Sequence, residues 1–508
     1  MLGIAVCGSL PGTGTGLIGP AGALLLILGI FGAVAAWRGL RARRASTAIV
    51  AVLLLVLAGQ TNLPVSAADC AAAPATSPVP AAPTFGTTVF KKGGGEPNIA
   101  ISPSGRYMIA DGLGGTPAGQ PANIFRSTDF GKTFQAITPA FANTGGGDFD
   151  IHFLDEHTVV AADLATLNLP ANGVYVDRST DDGSTWTQVN VNQEIYDRPW
   201  LDHFGPNNVY LATKGFDGIG YLYTSTDGGQ SFGTVPTVIY GNPLFGGPDP
   251  TAIPLSSNNA YVDHITVDPR SGDVYVLYGI EAPTTFGMGQ PAGAANQLYV
   301  AHLVAGVMHS APVYLGAGDD SFLAGFNWMT VDQAGTLYVL TNGRIHGHWS
   351  TRLAYSKDKG ATWSPQVDLG APGASNVYGS IAGAAAGNLS LIYLRGSNEN
   401  PSSAQNWYAE MATVASADTS SPVVARSRPF DKAMHTQDIC FDGILCGLPG
   451  FGSDRNLLDY IYNAVGPDGT AWGVFCSDGP LTGSTSNTTP DVVIVSQPGQ
   501  HLGSGVQS

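Results

Sequence analysis

The sequence predicts an all-β fold of seven repeated units arranged as a propeller, and three observations carry that expectation. Of 508 residues, 67 are Gly and 34 are Pro, about a fifth of the chain, while only 12% are charged. Such a composition lacks the Glu, Lys and Leu that long helices or coiled coils need, and 44% apolar residues can bury a large core. A turn motif of the form Ser-x-Asp-x-Gly-x-(Thr/Ser)-(Trp/Phe) occurs four times, and a strand–turn–strand pattern occurs seven times.

At the N-terminal end, residues 14–37 form an apolar run long enough to cross a bilayer. With Leu10-Pro11-Gly12-Thr13-Gly14 before it and Arg38 to Arg44 after it, the segment over 1–45 resembles a Gram-positive cell-wall sorting signal. Such signals belong at a C-terminus, so two readings stand: an upstream start that annexes a neighbouring surface protein's tail, or a genuine transmembrane segment. Residues 46–67 read as a secretory signal peptide, with small residues Val65 and Ala67 at the −3 and −1 positions of the cut. These features point to a secreted or cell-surface protein of a Gram-positive bacterium.

Residues 68–86 are rich in Ala and Pro and read as a linker, and 499–508 as a flexible tail. Beyond Cys7, the four cysteines form an even set in an exported chain, where disulfides are permitted. Three pairings are possible. The short Cys440–Cys446 loop is favoured, which would leave Cys70 to Cys476.

The four turn motifs are Ser127-Thr-Asp129-Phe-Gly131-Lys-Thr133-Phe134, Ser179-Thr-Asp181-Asp-Gly183-Ser-Thr185-Trp186, Ser225-Thr-Asp227-Gly-Gly229-Gln-Ser231-Phe232 and Ser356-Lys-Asp358-Lys-Gly360-Ala-Thr362-Trp363. Asp and Ser can accept backbone N–H groups, Gly takes positive φ, and the aromatic packs inward as a plug. The role predicted for them is structural. The seven strand pairs are Asn98–Ala110, Asp150–Ala162, Trp200–Thr213, Val262–Tyr278, Trp328–Thr341, Ser380–Leu394 and Tyr460–Phe475. They read as the inner strands of seven blades over 87–498. Units four and six carry outer hairpins at Leu298–Leu303 and Trp407–Ala412. The seventh has only Val492–Val495 outside, so Thr87–Lys91 is expected to add its fourth strand and close the ring.

The repeated turn is identified as the Asp box, or bacterial neuraminidase repeat, and residues 87–498 resemble the Asp-box β-propellers, of which sialidases are the best known. The resemblance implies that the boxes join the third and fourth strands of a blade, away from the ligand face. It also supplies the alternative of six blades, the number usual in sialidases.

Past residue 67 the chain carries 18 basic against 38 acidic side chains, a net of −20, which disfavours nucleic acid as a partner. In a propeller the starts of the inner strands ring the tunnel. There lie Glu96 and Asn98, Asp148 and Asp150, Asp197, Arg198, Trp200, Asp202 and His203, Asp263 and His264, Asn327 and Trp328, Tyr378, and Arg455, Asp459 and Tyr460. The ligand-binding face is drawn from Glu96, Asp148, Asp197, Arg198, Trp200, His264, Trp328 and Arg455.

In sialidases three Arg clamp the substrate carboxylate, the first in an Arg-Ile-Pro segment. Here that place reads Gly95-Glu96-Pro97-Asn98-Ile99, with an acid where the Arg would stand. Arg198, Arg344, Arg395 and Arg455 form no recognisable triad pattern. Tyr460 with a nearby acid could imitate the family's Tyr nucleophile, and Asp150, Asp202, Asp263 and Asp459 are candidate members of a glycosidase acid pair. Trp200 and Trp328 could stack on sugar rings or pack between blades. Asp148, Asp150, Asp319 and Asp320 offer oxygen ligands for Ca²⁺, without EF-hand spacing, and no other cofactor is expected. The expected function is a glycan- or protein-binding surface module. The alternative is an exo-acting glycoside hydrolase such as an exo-α-sialidase. The membrane is a partner only through the N-terminal segments.

Overall fold

The computed structural model describes residues 85–506, apart from 114–121, 138–147, 166–172, 193–195, 216–217, 242–259, 282–294, 317–319, 324, 442–445, 447–453, 485–488 and 499–501. The predicted sorting-signal or transmembrane segment, the signal peptide and nearly all of the linker lie outside the described residues. Among the described residues all long elements are strands, and no helix is long and apolar enough to cross a membrane.

The strands form seven four-stranded antiparallel blades spanning 99–137, 149–192, 196–240, 260–315, 328–368, 376–427 and 462–497. Blades four and five share one continuous sheet, because the short strand Ser321–Phe322 pairs with a strand of each. The seven-bladed propeller is therefore the fold, and six blades is excluded.

The predicted closure is present. Gly86–Phe90 pairs antiparallel with Asp491–Gln497, from Gly86 opposite Ser496 to Phe90 opposite Val492, and becomes the fourth strand of blade seven. Blade four differs from blades one, two, three and five in its outer turn. Its third and fourth strands, Ala295–Val304 and Val307–Leu315, meet at Ala305-Gly306, both with positive φ. That is the signature of a two-residue type I′ hairpin, which leaves no room for the longer Ser-x-Asp-x-Gly turn.

Each of the four Ser-x-Asp-x-Gly turns joins the third and fourth strands of its blade, with one hydrogen-bond pattern. The Gly N–H donates to the Ser Oγ at 2.9–3.0 Å, and the Ser hydroxyl donates to the Asp Oδ1 at 2.7–2.8 Å. The Thr or Ser four residues after the Asp returns both its N–H and its hydroxyl to that carboxylate. Trp186 Nε1 donates to Gly183 O at 2.8 Å and Trp363 Nε1 to Gly360 O at 3.1 Å. These turns also touch the preceding blade. A Cβ at Gly183 would lie 2.6 Å from Ile109 Cδ1 of blade one, so the glycine supplies close approach as well as its φ of 79°. Ile109, Phe149 and Trp186 pack together in the wedge between blades one and two.

Cys440 and Cys446 form the expected disulfide. The pairing expected for Cys476 is not formed: its thiol is free and buried in blade seven, and its Sγ–H donates to Gly94 O at 3.1 Å. Cys70 lies outside the described residues. The tail expected to be flexible is docked over 502–506, because Leu502 is buried and backbone hydrogen bonds tie this segment to blades six and seven.

Candidate functional site

The first strand of each blade starts at one mouth of the tunnel, and there the backbone is bent in a repeated way. Glu96, Arg198, Tyr378 and Leu458 have φ of 45°, 55°, 53° and 60°. Each stands two residues before Asn98, Trp200, Ser380 or Tyr460, within an inner strand or just ahead of it. Pairing slips between Asp197 and Trp200, between Val262 and His264, and between Val377 and Ser380. Non-glycine residues in this region carry strain of roughly 1–3 kcal/mol each, and bulges of this kind re-aim side chains. Here they bring Arg198, Asp263 and Tyr378 to the mouth.

Three of the sequence candidates are taken up by the fold itself. Asp150, a proposed catalytic acid, accepts Asn98 Nδ2 at 2.6 Å from blade one and Leu201 N at 2.7 Å from blade three. Asp202 accepts Val267 N of blade four at 2.7 Å with Oδ2, and its own neighbour His203 N at 2.7 Å with Oδ1. Asp263 repeats the motif from blade four to blade five, accepting Asn327 N at 3.1 Å and Asn327 Nδ2 at 2.9 Å, all on Oδ1. These inner-strand carboxylates staple each blade to the next. The correction is plain for Asp150 and Asp202, whose two oxygens are both committed and which are buried. They are positioning groups for the ring and not members of an acid pair.

Trp200 and Trp328 are each 3% exposed, and their rings meet edge to face at a centroid distance of 5.4 Å. His264 lies 4.5 Å from Trp328 and 5.2 Å from Trp200, and Tyr460 lies 5.4 Å from Trp200. Tyr462 completes the plug at 4.9 Å from Trp328. The two tryptophans therefore stack on each other's neighbours inside the tunnel, and the sugar-stacking expectation is corrected to an aromatic plug. Burial holds the His264 imidazole neutral, with its pKa down at about 4. The expectation of Tyr460 as a nucleophile is also corrected. Its hydroxyl donates to Phe149 O at 3.2 Å, and burial with Glu96 and Asp148 nearby drives its pKa well up.

Above the plug lies an ionic cluster. Arg198 Nη2 and Arg455 Nη2 donate to the same oxygen, Asp459 Oδ2, at 2.7 and 2.6 Å. Asp459 N donates to Glu96 Oε1 at 3.0 Å, and Arg198 N donates to Asp148 Oδ2 at 3.1 Å. The Arg198 guanidinium also lies 4.3 Å from the Phe326 ring centroid. Burial is the largest cause of a strongly raised Glu96 pKa, reinforced by Asp148 and Asp459 and opposed by the two arginines. The repulsion expected from an acid at this place is thereby muted. Burial likewise lifts Asp263 to about 7 and the Tyr378 phenol well above its usual range.

Several buried polar atoms of this cluster have no hydrogen-bond partner among the described residues: Glu96 Oε2, Asp263 Oδ2, Tyr378 OH, Arg455 Nη1 and Asp459 Oδ1. Buried groups of this kind are normally paired, so the mouth presents donors and acceptors to whatever enters it. Of the residues expected on the ligand face, Glu96, Asp148, Arg198 and Arg455 lie in this cluster, while Trp200, His264 and Trp328 belong to the plug below it. Asp197 is described only by its strand position, opposite Lys214. Arg395 is committed to Glu410 at 2.9 Å, and Arg344 is exposed in blade five. Two arginines thus converge on one protein carboxylate.

Two residues were missed by sequence reasoning. Phe326 underlies Arg198, and Asn342, on the second strand of blade five, donates through Nδ2 to Phe326 O and Gly379 O and through its backbone N–H to Asn327 Oδ1, while its Oδ1 accepts from Gly379 N. The only signal for Asn342 is a polar residue near the end of an apolar strand, in Leu340-Thr341-Asn342-Gly343, and Phe326 has none.

For Ca²⁺, Asp150 has both oxygens engaged, and Asp320 accepts Tyr314 OH and His346 N. Asp319 lies outside the described residues. His435, Asp454 and Asp478 have a spacing that could hold a metal ion. Both His435 nitrogens, however, face acceptors, Asp478 Oδ1 at 2.7 Å and Asp438 O at 3.1 Å. A protonated imidazole fits that arrangement better than a ligating one.

No family model matches the chain, and no curated protein sequence does. Among solved structures the similar folds include YCF48 bound to a D1 peptide, at 10% identity over 82% of this chain and 96% of that one, with a TM-score of 0.45. A Penicillium chrysogenum α-L-arabinanase complexed with arabinobiose matches at 13% identity over 68% and 98%, with a TM-score of 0.41. A PL25 ulvan lyase matches at 12% identity over 80% and 94%, with a TM-score of 0.48. Identities and scores this low transfer no function.

Proposed function

We propose that the mouth formed by Glu96, Arg198, Tyr378, Arg455 and Asp459 binds a polar ligand, a glycan or the polar face of a protein, as part of an exported surface module. The observation that carries this reading is the convergence of buried polar atoms without protein partners directly above a filled tunnel. A ligand held there meets the Arg455 guanidinium, the Tyr378 hydroxyl and the Glu96 carboxyl. It stops at the aromatic plug. The sialidase-like reading of the repeated turns supports an extracellular glycan as the first class to try. A glycan array run beside a fluorogenic sialoside assay tests the proposal: saturable binding without turnover supports it, and turnover contradicts it.

The second reading, an exo-acting glycoside hydrolase, rests on Asp263. Burial lifts its pKa to about 7, near the Arg198 guanidinium that also binds Asp459, and a carboxyl raised in this way can serve as a general acid. Under that reading Asp263→Asn abolishes turnover while sparing binding.

A further inference from the structure

We propose that the opposite mouth of the tunnel is a peptide-binding site, and that residues Leu502–Val506 occupy it in cis. The segment runs across three blades, with a turn at Gly503, where φ is 77°. Ala385 N of blade six donates to Leu502 O at 3.1 Å, and Asn388 Nδ2 adds a second bond to the same carbonyl at 3.3 Å. Gln333 Nε2 of blade five donates to Ser504 O at 2.8 Å. Gly505 N donates to Gly466 O of blade seven at 3.0 Å, and Val506 N to Gly383 O of blade six at 3.2 Å. Recognition is thus largely of backbone groups, as in other peptide sites.

Side chains add selectivity at alternate places. Leu502 is buried against blades six and seven as an apolar anchor. Gly503 has a φ of 77°, and a Cβ there would meet the Ala385 methyl. A Cβ at Gly505 would run into the Val465 carbonyl, so the peptide must come close to the inner strand at that point. Val506 lines a cavity of about 140 Å³ in the lower tunnel, together with Phe153, Val331 and Val465. The chemistry defines the ligand: a peptide of the pattern Leu-Gly-x-Gly-Val that turns at its first glycine, with small residues at two positions and an apolar one facing the tunnel. The site lies at the opposite ends of the inner strands from Glu96 and Arg198, so it is independent of the polar mouth.

The test uses the full chain and a fluorescein-labelled peptide, HLGSGVQS, read by anisotropy. The tethered segment competes at an effective concentration in the millimolar range, so the wild-type chain is expected not to bind the peptide at about 10 μM. Gly505→Val expels the segment and is expected to bind the peptide at least ten times more tightly than wild type. The same substitution placed in the peptide should remove binding. A folded Gly505→Val chain that binds no better than wild type overturns the proposal. Should that variant fail to fold, Val506→Cys in the otherwise wild-type chain replaces it. Its maleimide labelling is expected to be slow and to accelerate at least tenfold with millimolar peptide, and a rate indifferent to the peptide overturns the proposal.

Discussion

Arg198 and Asp459, 261 residues apart in sequence, meet at 2.7 Å across the tunnel mouth and tie blade three to blade seven. Arg455 donates to the same oxygen at 2.6 Å. A buried ion pair adds little net stability, but removing one partner leaves uncompensated charge. Asp459→Ala strands two guanidinium groups and is expected to cost about 3–5 kcal/mol. Arg455→Gln is expected to cost less, because that side chain is 24% exposed and Asp459 keeps Arg198. Urea unfolding of both variants checks the order, and an Asp459→Ala midpoint equal to wild type would refute it.

Asp150→Ala removes the acceptor of both Asn98 Nδ2 and Leu201 N, leaving buried donors on two neighbouring blades. Each orphaned donor costs about 1–3 kcal/mol. The expected result is a chain destabilised by roughly 2–6 kcal/mol whose folded fraction binds ligand with unchanged affinity. Thermal melts and a binding isotherm on the same sample test this, and a binding defect with normal melting would return Asp150 to the ligand site.

Trp186→Ala in the second Ser-x-Asp-x-Gly turn empties the wedge between blades one and two and removes the Nε1 bond to Gly183 O. Loss of a buried aromatic costs about 3–5 kcal/mol. Differential scanning calorimetry should show a lower melting temperature, with no change in ligand selectivity.

The buried acids set a direction for the pH dependence of stability. Asp163 and Asp263 are raised to about 7, and Glu96, Asp111 and Asp177 are raised well above the usual carboxylate range, chiefly by burial. Between the unfolded carboxylate pKa near 4 and these folded values, the native state binds more protons than the unfolded chain. Their contribution is fully present below about pH 4 and is lost as pH rises through each folded value, about 7 for Asp163 and Asp263. His203 and His264, held near 4 by burial, act oppositely between about 4 and 6.5. Five acids outweigh two imidazoles, so the melting temperature should be higher at pH 5 than at pH 8. Asp163→Asn should flatten that difference, and a steeper difference would contradict the assignment.

The architecture was legible because each blade writes itself locally. The Val- and Tyr-rich apolar run of Val274–Glu281, the turn Gln333-Ala-Gly335 and the Ser179-to-Trp186 motif all act within one short stretch. The closing strand was legible for the same reason, as an unpartnered strand pattern beside a blade lacking one. The site was not, because the commitments of its side chains cross between blades. Nothing near Asp150 in sequence signals that it will be spent on Leu201, 51 residues on. Trp200 and Trp328 look identical whether they face a ligand or each other, and only the convergence of inner strands turns them into a plug. Cys476 had no visible reason to stay free until its burial beside Gly94 was seen.

The central claim is that the polar mouth binds a ligand through Arg455 and its neighbours, and one measurement tests it most directly. Wild type and Arg455→Gln are applied side by side to an array of acidic and neutral oligosaccharides, with melting temperatures taken on the same preparations. Two guanidinium hydrogen bonds of the charged kind are worth about 1.5–3 kcal/mol each, so at least a tenfold loss of signal is predicted on every glycan that wild type binds, with both proteins folded. Equal signals from the two proteins would contradict the account.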